Sequence, residues 1–414
     1  MRQYPFPDKK IWKLLLGLFL FGILLLARDT MVTTAVLGFY RSQFLMLGLM
    51  AAAGICFLTV NRRHLREIFT DRRILWMAVF SGMILLPMAV KRDWQLMYFS
   101  VLLCLLFSVF LTWFVSLETV ARYYVWFLCG LGLYSVFATY FLRIPADRGI
   151  WEAPVITNSI GFEFYNFGLC FPGITYVKNR NFGIFREPGV YQFFVLLALY
   201  VNNCTVQWKK SWQMWVCNVI LGITMLSTFA TGGVIEMGLL AILLFIDKKW
   251  YKDRVIRTAA IVMVVLVLLA VVFIVWQQGD LYVELIGMVT KFTDNPESTG
   301  SRLGSIVTDG KFFLANPLFG EKLSTVLHSM DDNTTSTMLM FAIFGILGGL
   351  LHTAGWVALV WDRKRNVLMN LGLLVVMFMS FNTQNLIADV FLWLMPTMAL
   401  TEKLLTRKEN RRGA

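Results

Sequence analysis

Four side chains carry the chemistry this sequence offers: Arg186, Arg302, His328 and Asp332. Arg186 lies two residues before Pro188, at the head of the apolar run 191–201. Proline is favoured at the first helical position, where its missing N–H is not needed. The spacing therefore predicts Arg186 at the mouth of a helix, beside the positive end of its dipole. A cation there is locally unfavourable unless an anion binds between the two, and helix N-termini suit phosphate. The plainer reading is an interfacial arginine reaching lipid phosphates or pairing with Glu187. Arg180 and Glu187 flank Arg186 in the same stretch, 179–190, and are candidate substrate contacts.

Arg302 begins the segment 301–313, whose apolar residues at 303, 306, 307 and 313–314 predict a short amphipathic helix lying on a membrane, with Arg302 at its start. Two guanidinium groups hold a diphosphate through planar, bidentate contacts. They also stabilise charge developing on a phosphate leaving group. Histidine changes charge near neutral pH, so His328 suits taking a proton from a sugar hydroxyl; a solvated loop histidine is the alternative. Asp331 and Asp332 read as base, metal ligand or solvated acids. Glu236 lies inside an apolar run, which marks it as a proton-relay group or as the partner of polar neighbours such as Thr231. Asp389, with Asn382, Gln384 and Asn385, is placed to cap helix ends. No Walker, Rossmann or HExxH pattern is present, which argues against an ATP-driven pump and a zincin protease.

The elements that must position these groups are set by composition. The chain has 414 residues, 58% hydrophobic and 15% charged, whereas soluble domains carry roughly 25% charged residues. The reading is an all-α, polytopic membrane protein with a single transmembrane domain over 1–414. Twelve spans are expected, at 11–27, 43–60, 74–90, 95–115, 122–142, 189–206, 213–230, 232–247, 258–276, 335–360, 367–381 and 386–401. The seventh and eighth read as a hairpin or as one broken helix. Placing the N-terminus inside puts 25 of the 38 Lys and Arg in cytoplasmic segments, and 14 of the 25 acids in exterior ones. That asymmetry follows the positive-inside rule, puts both termini in the cytoplasm, and accounts for the net charge of +13 without nucleic acid. The basic tail 402–414 lies inside. Two exterior segments, 143–188 and 277–334, are long enough to be functional. The first is rich in aromatic residues, among them Trp151, Phe164, Tyr165, Phe167 and Phe171, which fits interfacial packing or stacking on sugar rings.

Several segments together resemble the O-antigen ligase and Wzy-type polysaccharide polymerase superfamily. They are Phe182 to Val190, Leu226 to Gly233, Ser301-Arg302-Leu303-Gly304 with Asn316-Pro317-Leu318-Phe319-Gly320, and Asp332-Asn333-Thr334 leading to Phe344-Gly345-Ile346-Leu347-Gly348-Gly349. They cover roughly 180–350, in the order of the family. The resemblance implies a membrane glycosyltransferase of the GT-C type that needs no metal or other cofactor. Its donor would be a glycan on undecaprenyl diphosphate, used at the outer face of a bacterial cytoplasmic membrane. The family's diphosphate-binding arginines carry over to Arg186 and Arg302. Its loop His-Asn matches less well: Asn333 follows Asp332, and His328 lies four positions before that. A helical segment would put 328 and 332 on one face, so both stay candidates, and the divergence favours a polymerase over a ligase.

The expected function is thus polymerisation of lipid-linked oligosaccharide repeat units into a surface polysaccharide (O-antigen, capsule or exopolysaccharide). The partners would be the carrier-linked glycan, the bilayer, a chain-length regulator and a flippase. An O-antigen-type ligase is the alternative within the same chemistry. A repeat-unit flippase or proton-coupled transporter is the alternative outside it.

Overall fold

In this computed structural model the protein is described over residues 9–158, 161–175, 178–294, 296–329 and 335–409. The chain is almost wholly helical. The first half runs α1 (Lys9–Leu25), α2 (Phe39–Val60), α3 (Leu65–Phe69), α4 (Arg72–Lys91), α5 (Leu96–Leu111), α6 (Leu117–Phe137) and α7 (Arg143–Asp147). A π-helical turn, Ala138–Leu142, joins α6 to α7. The middle holds α8 (Pro188–Cys204), α9 (Ser211–Ser227), α10 (Thr231–Asp247) and α11 (Arg254–Gln277). Then come α12 (Asp280–Asp294), α13 (Pro296–Ala315), α14 (Leu323–His328), α15 (Thr337–Val360), α16 (Val367–Phe381) and α17 (Val390–Glu409). Among the described residues the only sheet is a hairpin of β1 (Val155–Thr157) and β2 (Glu163–Tyr165), antiparallel with Val155 opposite Tyr165.

Each of the twelve expected spans coincides with a helix. Five of these helices are long and apolar enough to cross a membrane: α2, α4, the continuous 117–147 stretch, α11 and α15. Ile11–Leu25, α5 and α16 are apolar but shorter. Local chemistry fixes several starts. Asp71 accepts from the Arg73 N–H, Ser116 from that of Thr119, Asp253 from those of Val255 and Ile256, and Asn366 from that of Met369. Pro188 occupies the first turn of α8. The seventh and eighth runs form a hairpin, α9–α10, turned at Phe229 with φ 47°.

The core centres on α8. Every residue of α8 except Gly189 and Cys204 is buried, enclosed by α6, α9, α10 and α16. α15 packs on α17, α13 and α4, and α17 on α5. Connecting segments gather at two ends. At one, Lys13 accepts from Tyr123 Oη (2.9 Å), Gln207 from Arg122 Nη2 (3.1 Å) and Glu402 from Leu117 N (3.0 Å), while Arg365 pairs with Asp247 (3.0 Å). At the other lie Arg186 and both of the long segments.

Candidate functional site

The stretch leading into α8 is locked before it reaches Arg186. The buried Asn181 donates from Nδ2 to Ser135 Oγ and Ser227 Oγ, both at 2.9 Å. Its Oδ1 accepts from Gly183 N at 3.0 Å. Gly183 has φ 54°, and a side chain there would meet the Tyr191 ring at 3.0 Å, so glycine is required. The segment after α1 then runs beside it. Met31 N donates to Ile184 O (2.7 Å), and Arg186 N donates to Asp29 O (2.9 Å).

Arg186 therefore sits where the sequence placed it, one residue before the Glu187 N-cap of α8. Its Nε lies 2.9 Å from Asp29 Oδ1, and its Nη2 lies 3.4 Å from Glu187 Oε1. The Arg186 side chain is 39% exposed and that of Asp29 only 5%, so a buried acid holds an accessible cation. Asp389 is buried nearby, within electrostatic reach of Asp29 and Arg28, and its Oδ1 accepts from Phe391 N at 2.8 Å to cap α17. Asn382 Oδ1 accepts from Ser336 N and Thr337 N at the start of α15. Of the polar residues expected to cap helix ends, Asp389 and Asn382 do so with their side chains.

Arg180 is brought to a different partner. Its Nε lies 2.6 Å from Glu284 Oε2 on α12, and both side chains are largely shielded. That ion pair ties the first long segment to the second. The first segment behaves as core as much as surface: Phe164, Cys170, Phe171, Phe182, Ile184 and Phe185 are all buried. Burial pushes the Cys170 thiol up to about 12.

In the second segment the helix around Arg302 is longer than expected. α13 begins at Pro296, so Arg302 lies in its second turn and not at a helix start. The reason is Pro296, a good first-turn residue, and no further proline follows before Pro317. The apolar positions Leu303, Ile306, Val307 and Leu314 are exposed, while Ser305 and Asp309 are buried where α13 meets α15. Asp309 Oδ2 accepts from Thr335 Oγ1 at 2.5 Å. The helix is thus amphipathic with its apolar side turned outward.

Asn316-Pro317-Leu318-Phe319-Gly320 docks into a break in α15. At Gly345 the helix leaves helical geometry (φ 62°, ψ −159°). Ile346 N donates to Pro317 O (2.8 Å) and Glu321 N to Ala342 O (2.7 Å). A side chain at Gly345 or Gly320 would collide with the backbone opposite it. Lys91 closes the junction by donating to Glu321 O (2.9 Å) and Ile343 O. Two of the quoted sequence motifs are therefore halves of one joint.

His328 ends α14, whose first N–H, on Leu323, donates to Asp93 Oδ2 at 2.9 Å. His328 is exposed, and its Nδ1 lies 2.6 Å from Ser324 O. A carbonyl only accepts, so Nδ1 donates, and in the neutral ring it is Nε2 that carries the lone pair. Because α14 stops at His328, no described helix carries positions 328 and 332 on one face. Asp332 and Asn333 lie outside the described residues. The groups that sequence reasoning missed are Asp29, Asn181 and Glu284, whose partners are distant in the chain.

Compared with known proteins, the chain matches no protein-family profile and no curated protein.

Proposed function

We propose that this protein is a membrane glycosyltransferase of the Wzy-polymerase type. It joins oligosaccharide repeat units carried on a lipid diphosphate, at the outer face of a bacterial cytoplasmic membrane that the chain crosses twelve times. The observation that supports this most is convergence at one end of the bundle. Arg186 lies at the mouth of the most buried helix, and the stretch that leads to it is tied to the second long segment through Arg180 and Glu284. This end is also poorer in Lys and Arg, which supports reading it as the exterior one.

In this reading Arg186, with Arg302 from α13, holds the donor diphosphate and stabilises the charge that develops as it leaves. The acceptor hydroxyl forms the new bond to the anomeric carbon, the bond to the diphosphate breaks, and His328 Nε2 or Asp332 takes the hydroxyl proton. Arg180 supports from within an ion pair, Glu187 from beside Arg186, and Asn333 next to Asp332.

A second reading, a proton-coupled transporter, has its own observation. Glu236 is buried in α10, and its carboxylate and the Gln192 amide both lie within 4 Å of a side-chain position at Gly232. Deleting the protein separates the readings. Single repeat units with no long chains support the polymerase, and long chains stranded on the carrier support a ligase. An unchanged exterior glycan profile overturns both. Arg302→Ala is expected to abolish polymer while the protein still reaches the membrane; normal polymer from that variant would remove the role assigned to Arg302.

A further inference from the structure

A groove of about 380 Å³ runs along the outside of the bundle between α1 and α6, far from Arg186. Its walls are Leu14, Leu18 and Phe21 on one side and Tyr123 and Phe127 on the other, and its floor is Gly17. The lining is almost wholly apolar, with Lys13 at one end. Leu14 and Leu18 are 65% and 61% exposed, so the groove is open to whatever surrounds the helices. Gly17 makes it possible: a Cβ there would meet the Tyr123 ring at 3.2 Å.

The groove has a polarity. Lys13 is exposed, and its ammonium has no ion-pair partner among the described residues. The Lys13 carbonyl accepts from Tyr123 Oη at 2.9 Å, near the start of α6. Trp12 packs on Phe57, 4.4 Å between ring centroids, near the end of α2 where Arg62 and Arg63 follow. The cationic end of the groove is therefore at the margin of the bundle. From Lys13 to Phe21 is eight helical residues, about 12 Å. One leaflet of a bilayer core is roughly 15 Å deep. A groove nearly as long as one leaflet, almost wholly apolar and ending at the exposed Lys13 on a basic margin, matches a lipid with an anionic headgroup.

We infer that the α1–α6 groove binds one anionic phospholipid, its acyl chain along Gly17 and its phosphate at Lys13. The inference stands independently of the reaction proposed above. The test is native mass spectrometry of the full-length protein released from nanodiscs of mixed phosphatidylglycerol and phosphatidylcholine. Wild type is expected to retain phosphatidylglycerol about tenfold over phosphatidylcholine. Lys13→Gln should lose that preference while still retaining lipid, and Gly17→Leu should lose the bound lipid. Lys13 is exposed and makes no ion pair among the described residues, so its variant stays informative even where Gly17→Leu misfolds. Equal retention of both lipids by wild type, an unchanged preference in Lys13→Gln, or lipid-free dimers in place of lipid-bound protein would each overturn the inference.

Discussion

Helices α8 and α11 are both apolar runs, yet they occupy opposite environments. α11 is the most hydropathic of the five long apolar helices, with a mean hydropathy of 3.3, and none of its described side chains is buried. α8 has only 17 residues and carries Gln192, Asn202 and Asn203, yet almost all of it is buried. In water the order would be reversed, because burial follows hydrophobicity there. In a bilayer the surroundings are as apolar as leucine, so burial follows the polar groups that need partners. Gln192 finds Gly233 N (2.7 Å) and Thr383 Oγ1 (3.1 Å), and Asn202 and Asn203 both donate to Asn218. A run that carries three buried amide side chains thus marks the centre of the bundle.

The largest contrast should come from adding volume. Gly233→Leu places carbon within 2.8 Å of Gln192 and of the Met225 sulfur. It is expected to destabilise the bundle by about 3 kcal/mol. Ala270→Leu on α11, at an exposed position, should leave the melting temperature unchanged. Equal effects from the two would collapse the distinction. Next comes a change of polarity. Leu266→Asp on α11 should cost about 3 kcal/mol in a membrane-insertion assay. Gln192→Leu should insert better than wild type yet lose about 1–3 kcal/mol of folded stability, since the Gly233 N–H is left without its acceptor.

At the mouth of α8, the proposed function predicts that Asp29→Asn reduces polymer formation about tenfold with the protein still folded, and that Asp29→Glu restores part of it. The loss should appear in apparent donor affinity, because the acid orients Arg186. The smallest expected effect is chemical. The thiolate is the reactive form, and a thiol raised to about 12 holds roughly a thousandfold less thiolate at pH 8 than an ordinary one. Maleimide should therefore leave Cys170 untouched until the protein is unfolded; rapid native labelling would mean that the first long segment is not packed as described.

The helices were legible because each hydrophobic run is punctuated by residues with one local meaning, such as Pro188 at a first turn. Arg186 was legible for the same reason. Arg302 was misplaced because the start of α13 depends on Pro296, six residues upstream, and the apolar pattern becomes visible only from Leu303. The grip of Asp29 on Arg186 spans 157 positions of chain, and that of Glu284 on Arg180 spans 104. No periodicity encodes such pairs. The β1–β2 hairpin was hidden among aromatic residues that serve interface and strand alike. Gly320 and Gly345 stood in quoted motifs, but only the fold shows that they face each other.

That joint has a mechanical meaning. Where backbone meets backbone with no side chain between, there is no rotamer to yield and no slack to absorb a displacement. The segment 317–321 and the unwound turn of α15 are in direct backbone contact, and Lys91 at the end of α4 bonds to both. The joint thus sets α15 in register with 317–321 and, two residues further on, with the start of α14, the helix that ends at His328.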